Sequence, residues 1–254
     1  MQAFYFAPWV PGASYHVYNR AVPLNRLFCT AYNITKFRTV LREKLRPFFV
    51  LYSVACVGNH FHLHGRVRSL EAIEAHLRSL SKPLSRQRRY LLGELNFQEL
   101  VGDAFGRTFQ AYARSFNIEQ GRTGNLLDQT VRRIRVREDL LSRSLCAYHH
   151  FNEFKHGLRK DQHGLGPKTT YEEIVRGESD LVDLDAVYAR FGGMDGFVRF
   201  HEEYGRRKKR SMLDFDEEKY FGYEKYPERF TWELNRGEAY RDDGVGGDGV
   251  GGDE

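Results

Sequence analysis

Cysteine is scarce in this 254-residue chain: Cys29, Cys56 and Cys146 are odd in number and far apart. No CxxC pair occurs, which argues against a zinc knuckle and against a disulfide framework. No apolar run approaches the roughly 18 residues of a membrane span, and no stretch resembles a secretory leader. The cytoplasm is therefore the default compartment. A phosphate-cradling P-loop is missing too, so chemistry driven by a bound nucleoside triphosphate is not indicated. Internal repeats are absent. What the chain does have is length enough for a sizeable core, as one domain with an extension or as two small ones.

Charge is modest overall, at +5, but unevenly spread. The glycine-aspartate tail carries Asp242, Asp243, Asp248, Asp253 and Glu254 against Arg241, a net of −4 that leaves +9 on the rest. From Arg78 to Arg137 there are twelve basic residues and five acidic ones. Arginine clustered among aromatic side chains suits nucleic acid, because guanidinium pairs with phosphate and aromatic faces stack on bases. A basic solubilising surface is the bland alternative.

Periodicity orders the chain as β-α-β-β-α-β with one further helix. Residues 14–22 are β-branched and aromatic enough for a strand. Ile34, Phe37, Leu41 and Leu45 form a helical stripe over 30–45, ended by Pro47. A buried strand over 48–57 turns at Gly58-Asn59 into a second strand, 59–67. Helices are expected over 70–80, over 105–119 (Phe105, Phe109, Tyr112 and Phe116 on one stripe) and over 140–156. A strand is expected over 130–136, where basic and apolar residues alternate. The implied fold class is α+β, a ferredoxin-like or RNA-recognition-like antiparallel sheet flanked by helices. The expected domains are 1–164, a helical and irregular C-terminal extension over 165–240 whose short helices end at the basic run Arg206–Arg210, and a disordered tail over 241–254.

The most informative segment is Asn59-His60-Phe61-His62-Leu63-His64. Alternation is the period of a strand, and residues i and i+2 share a face about 6.5–7 Å apart. Two imidazoles so placed can converge on one cation, since imidazole is the commonest metal ligand. A third ligand is needed, and the helix bearing Tyr148-His149-His150-Phe151-Asn152 offers one. Tyr148 and Asn152 are four apart and share a helical face, so an amide oxygen and a phenol would reach the cation together. Tyr148 also continues the apolar stripe of Leu141 and Leu145, so a plain core aromatic is the competing reading.

His60-Phe61-His62 resembles the HUH motif of HUH endonucleases. The wider context resembles single-tyrosine transposases of small insertion sequences, best of all the REP-associated tyrosine transposases. The segments that carry the likeness are Tyr15-His16-Val17-Tyr18-Asn19-Arg20, Phe116-Asn117 before Gly121-Arg122-Thr123-Gly124, and Tyr148-x-His150-Phe151-Asn152. The resemblance implies a divalent cation, Mg²⁺ or Mn²⁺, on His60, His62 and Asn152, with Tyr148 as nucleophile. It further implies cleavage and rejoining of single-stranded DNA near hairpins through a 5′-phosphotyrosine, at the nucleoid. Related enzymes exchange the tyrosine helix between two subunits, so a homodimer is one expectation. Arg122, Arg132, Arg133, Arg135 and His64 are the candidate DNA contacts. Val57-Gly58, Leu126-Leu127 and Glu153 depart from the family's usual Met-Pro, Leu-Trp and proline, marking a divergent member.

Two other classes compete: a domesticated hairpin-binding protein without turnover, and a metal phosphoesterase on His60, His62 and His64. The latter is geometrically poor, because i to i+4 spans about 13 Å along a strand.

Overall fold

The computed structural model describes residues 6–23, 25–128, 131–155 and 168–211, without the side chains of 152–155 and 207–211. The described residues up to Arg207 belong to one compact unit. The expected tail over 241–254 lies outside the described residues.

Four strands form the expected antiparallel sheet: β1 (Ser14–Arg20), β2 (Phe49–Val57), β3 (His60–Val67) and β4 (Arg132–Val136), in the order β2-β3-β1-β4. That order is what a β-α-β-β-α-β chain gives when each half contributes one central and one edge strand. α1 (Ala31–Val40), prolonged by a π-helical turn over Leu41–Leu45, and α4 (Phe97–Glu119) cover one face. Their Phe37 and Phe109 pack on Phe61 of β3, with ring centroids 4.8 Å away in both cases. α5 (Asp139–Lys155) crosses the other face. Strand alternation therefore sends Phe61 and Leu63 into the main core and His60, His62 and His64 beneath α5.

The pairing register builds that histidine face. His16 lies opposite His64, and Tyr18 opposite His62. On the other side of β3, Ser53 is opposite His64 and Ala55 opposite His62, with the register shifting between Leu51 and Ser53. The shift is a bulge, which re-aims side chains: it brings both Tyr52 and Ser53 toward α5, the Tyr52 ring 5.3 Å from that of His64.

Around this frame sit α2 (Leu70–Ser79), α3 (Ser85–Leu91), α6 (Tyr171–Arg176), α7 (Leu184–Phe191) and α8 (Met194–Ser211). α4 begins eight residues before its expected start, and α3 was not expected. Gly102 and Gly106 weaken the helical signal, but Asn96 and Glu99 form a reciprocal capping box that starts the helix early. Residues 168–170 line the open edge of β2: Cys56 N–H donates to Lys168 O at 2.7 Å and Thr170 N–H to Val54 O at 3.2 Å. An otherwise bare strand edge is thereby closed.

Candidate active site

α5 meets the sheet through a line of polar contacts rather than through apolar packing alone. His64 Nδ1 donates to the Tyr15 carbonyl at 3.1 Å, and Ser142 of α5 donates to His64 Nε2 at 2.7 Å. Burial lowers the His64 pKa to about 4, which keeps that ring neutral and fixes the direction of both bonds. One turn on, Cys146 is fully buried, and the Ser53 hydroxyl of β2 lies 2.9 Å from His149 Nδ1. These contacts place Tyr148 at the flank of the helix, half-buried, its ring edge-on to His62 with centroids 5.8 Å apart. The Tyr148 and His62 rings are thus neighbours within one chain.

His60 and His62 share the face as alternation requires, with ring centroids 4.9 Å apart. His60 Nδ1 is 2.9 Å from Asn59 Oδ1, a bond it donates, so in the neutral ring the lone pair sits on Nε2. His62 Nδ1 is 3.0 Å from His16 Nε2. A bond from the far nitrogen of a ligating imidazole sets its tautomer and aim, and both histidines have that support. The chemistry of this donor pair fits a divalent cation. Asn152 falls on α5 one turn after Tyr148, but its side chain lies outside the described residues.

A second grouping involves His62. One ring nitrogen from each of His16, His62 and His149 lies within 4.8 Å of the others, so this triad could hold a metal ion. Burial pushes the His16 pKa down to about 3 and that of His149 well below its usual value, which leaves neutral imidazoles, the form that ligates. His149 Nε2 has no hydrogen-bond partner among the described residues. His16 and His149 were not foreseen as site residues. The signal available was the strand alternation of His16 with Tyr18 and the adjacency of His149 to Tyr148. Nothing in the chain order revealed that the β1–β3 register and the docking of α5 bring the two together beside His62.

The expected DNA contacts do not share one surface. On β4, Arg132 lies on the histidine face, 3.4 Å from Asp128. Arg133 and Arg135 point to the opposite face. Arg133 stacks over Trp9 at 4.7 Å and donates to the Ala7 carbonyl at 2.7 Å, which ties down the N-terminal segment. Arg135 is exposed. Arg122 donates to Asn125 O at 3.1 Å and lines a cleft of about 730 Å³ with Asn19, Arg114, Asn117 and Leu126. His64, expected beside them, is fully buried with both ring nitrogens engaged, so it has no surface to offer DNA.

The chain is similar to a REP-associated tyrosine transposase. The solved structure concerned, of such an enzyme bound to a REP hairpin, has 15% sequence identity, a TM-score of 0.44, and a match over 72% of this chain and 90% of its own. No family model matches the chain, and no curated protein matches it either. No described helix is long and apolar enough to cross a membrane.

Proposed function

We propose that this protein is a metal-dependent single-stranded DNA transposase that cleaves and rejoins DNA near hairpins, with Tyr148 as nucleophile. One observation carries the reading: the half-buried Tyr148 ring lies 5.8 Å from His62, on a helix that hydrogen bonds hold against the histidine strand. A core tyrosine would have no need of paired imidazoles, each supported through its far nitrogen.

In this reading Tyr148 Oη attacks the scissile phosphorus, the bond to the 3′ oxygen breaks, and a 5′-phosphotyrosine with a free 3′-OH results. Reversal by another 3′-OH rejoins strands, which accounts for chemistry without a triphosphate. A divalent cation, Mg²⁺ or Mn²⁺, held by His60, His62 and Asn152, supplies Lewis-acid polarisation of the phosphate when bound; two imidazoles favour Mn²⁺. His16 and Asn59 orient the ligand rings. Arg132, on the same face, is the nearest candidate for the phosphate backbone, with Arg122 and Arg135 contacting flanking DNA. Residues 1–164 would carry the chemistry and 165–240 an accessory role.

Labelled single-stranded DNA with a hairpin, incubated with the protein and Mn²⁺, should give a denaturant-resistant adduct that Tyr148→Phe abolishes while hairpin binding persists. Binding without any adduct would instead indicate a domesticated binding protein. Cleavage surviving in Tyr148→Phe would indicate a phosphoesterase.

A further inference from the structure

One buried polar chain takes no part in the proposed chemistry, yet it passes through His150, two residues from Tyr148. His201 Nδ1 lies 2.8 Å from the Phe197 carbonyl one turn back on α8, and so donates to it. Its Nε2 then carries the lone pair and accepts from His150 Nδ1 at 2.8 Å. His150 Nε2 in turn accepts from the Thr170 hydroxyl at 3.0 Å, whose oxygen accepts from the Val54 N–H of β2 at 3.1 Å. Burial keeps both rings neutral, His201 with a pKa lowered to about 4 and His150 well below its usual value. Every donor thus has its acceptor, and the chain runs in one direction from sheet to α8.

Other contacts grip the same helix. The Phe151 ring lies 5.8 Å from that of Tyr204, and a Cβ on Gly205 would fall 2.8 Å from Phe151, so glycine permits α8 this close approach. Near the start of α5, Arg190 of α7 reaches Asp139 at 3.5 Å and donates to the Tyr52 hydroxyl of β2 at 2.7 Å. α5 is therefore held by the extension both before and after Tyr148. Apolar packing tolerates small slides of a helix on a sheet, whereas a chain of bonds between named atoms does not.

We propose that His201 and Thr170 are positioning residues, which lock the register of α5 through His150 and so hold Tyr148 against His62. The proposal rests on Tyr148 being the nucleophile. It gives the helices beyond residue 168 a definite role, which is to set the geometry of the tyrosine helix rather than to touch DNA.

The test uses the full chain with His201→Leu, His201→Gln and Thr170→Val. Glutamine returns an acceptor oxygen to the place of His201 Nε2. Valine matches threonine in size and breaks the chain from its other end, should His201→Leu fail to fold. Three quantities are read: hairpin DNA Kd, adduct formation rate at saturating DNA, and amide hydrogen exchange of α5. Displacing a reacting group by about 1 Å costs up to ~100-fold in rate. His201→Leu and Thr170→Val should therefore slow the adduct step roughly 10-fold or more with Kd within about 2-fold, faster α5 exchange, and recovery in His201→Gln. Unchanged adduct rate and exchange in both breaking variants would overturn the proposal. So would an equal loss of rate and affinity that glutamine does not restore, which marks general destabilisation. If the unsubstituted protein forms no adduct, the functional reading falls and the positioning role with it; α5 exchange then reports separately whether the lock itself exists.

Discussion

Five histidines of this chain, His16, His64, His149, His150 and His201, are buried with their pKa values lowered, burial being the largest cause in each. A neutral buried imidazole is tolerable only when hydrogen-bonded or ligating, and the contacts of His64, His150 and His201 satisfy that condition. The consequence is a pH dependence with a definite sign. The unfolded ring titrates near 6.5, whereas folded His201 does so at about 4. Between those values the unfolded chain binds a proton that the native state does not, so stability is full above about pH 6.5 and falls as pH drops toward 4. From His201 alone the loss is about 3 kcal/mol by pH 4. Urea midpoints at pH 7, 5.5 and 4.5 should decline in that order, and His201→Gln should show the shallower decline. Part of the candidate site was legible in the sequence: alternation put His60 and His62 on one face, and the helix bearing Tyr148 was expected across it. His16 and His149 were not, because their relevance is created by strand register and helix docking.

At the scale of the element, β3 is where sequence and packing constrain each other most tightly. Gly65 continues the Phe61–Leu63 face, and a Cβ there would lie 2.2 Å from the Val50 carbonyl oxygen and 2.5 Å from the Phe49 ring. Backbone cannot give way as a side-chain tip can, so Gly65→Ala should destabilise by about 3 kcal/mol, read as a lower denaturation midpoint. β4 supplies a contrast within one strand. Arg132→Ala should weaken DNA binding and reduce the slope of log Kd against log salt by about 0.7–0.9, with stability kept. Arg133→Ala should leave that slope alone and cost about 1–2 kcal/mol of stability, through the lost Trp9 stack and Ala7 bond. Both are arginines of one basic run, and the two-residue period of the strand sets them on opposite faces. The early start of α4 also has a local cause: the Asn96–Glu99 capping box outweighed two glycines that blurred the helical pattern.

Across the whole molecule, the arrangement of Tyr148 and His62 is made within a single chain. If that geometry is the working one, mixing two inactive proteins, Tyr148→Phe and His62→Ala, should restore no adduct, and the rate should rise linearly with protein concentration. Recovery of activity on mixing would mean that the tyrosine helix passes between subunits. By itself the sequence determined the β-α-β-β-α-β order, the histidine strand and the tyrosine helix, because each is written in short-range periodicity that local sterics enforce. Only the tertiary structure decided that His16 and His149 join His62, that Arg132 and Arg133 part company, that His64 is enclosed, and that α8 reaches back to His150. Those outcomes depend on register and on which helix lies over which face, and such long-range choices follow from packing the entire core at once.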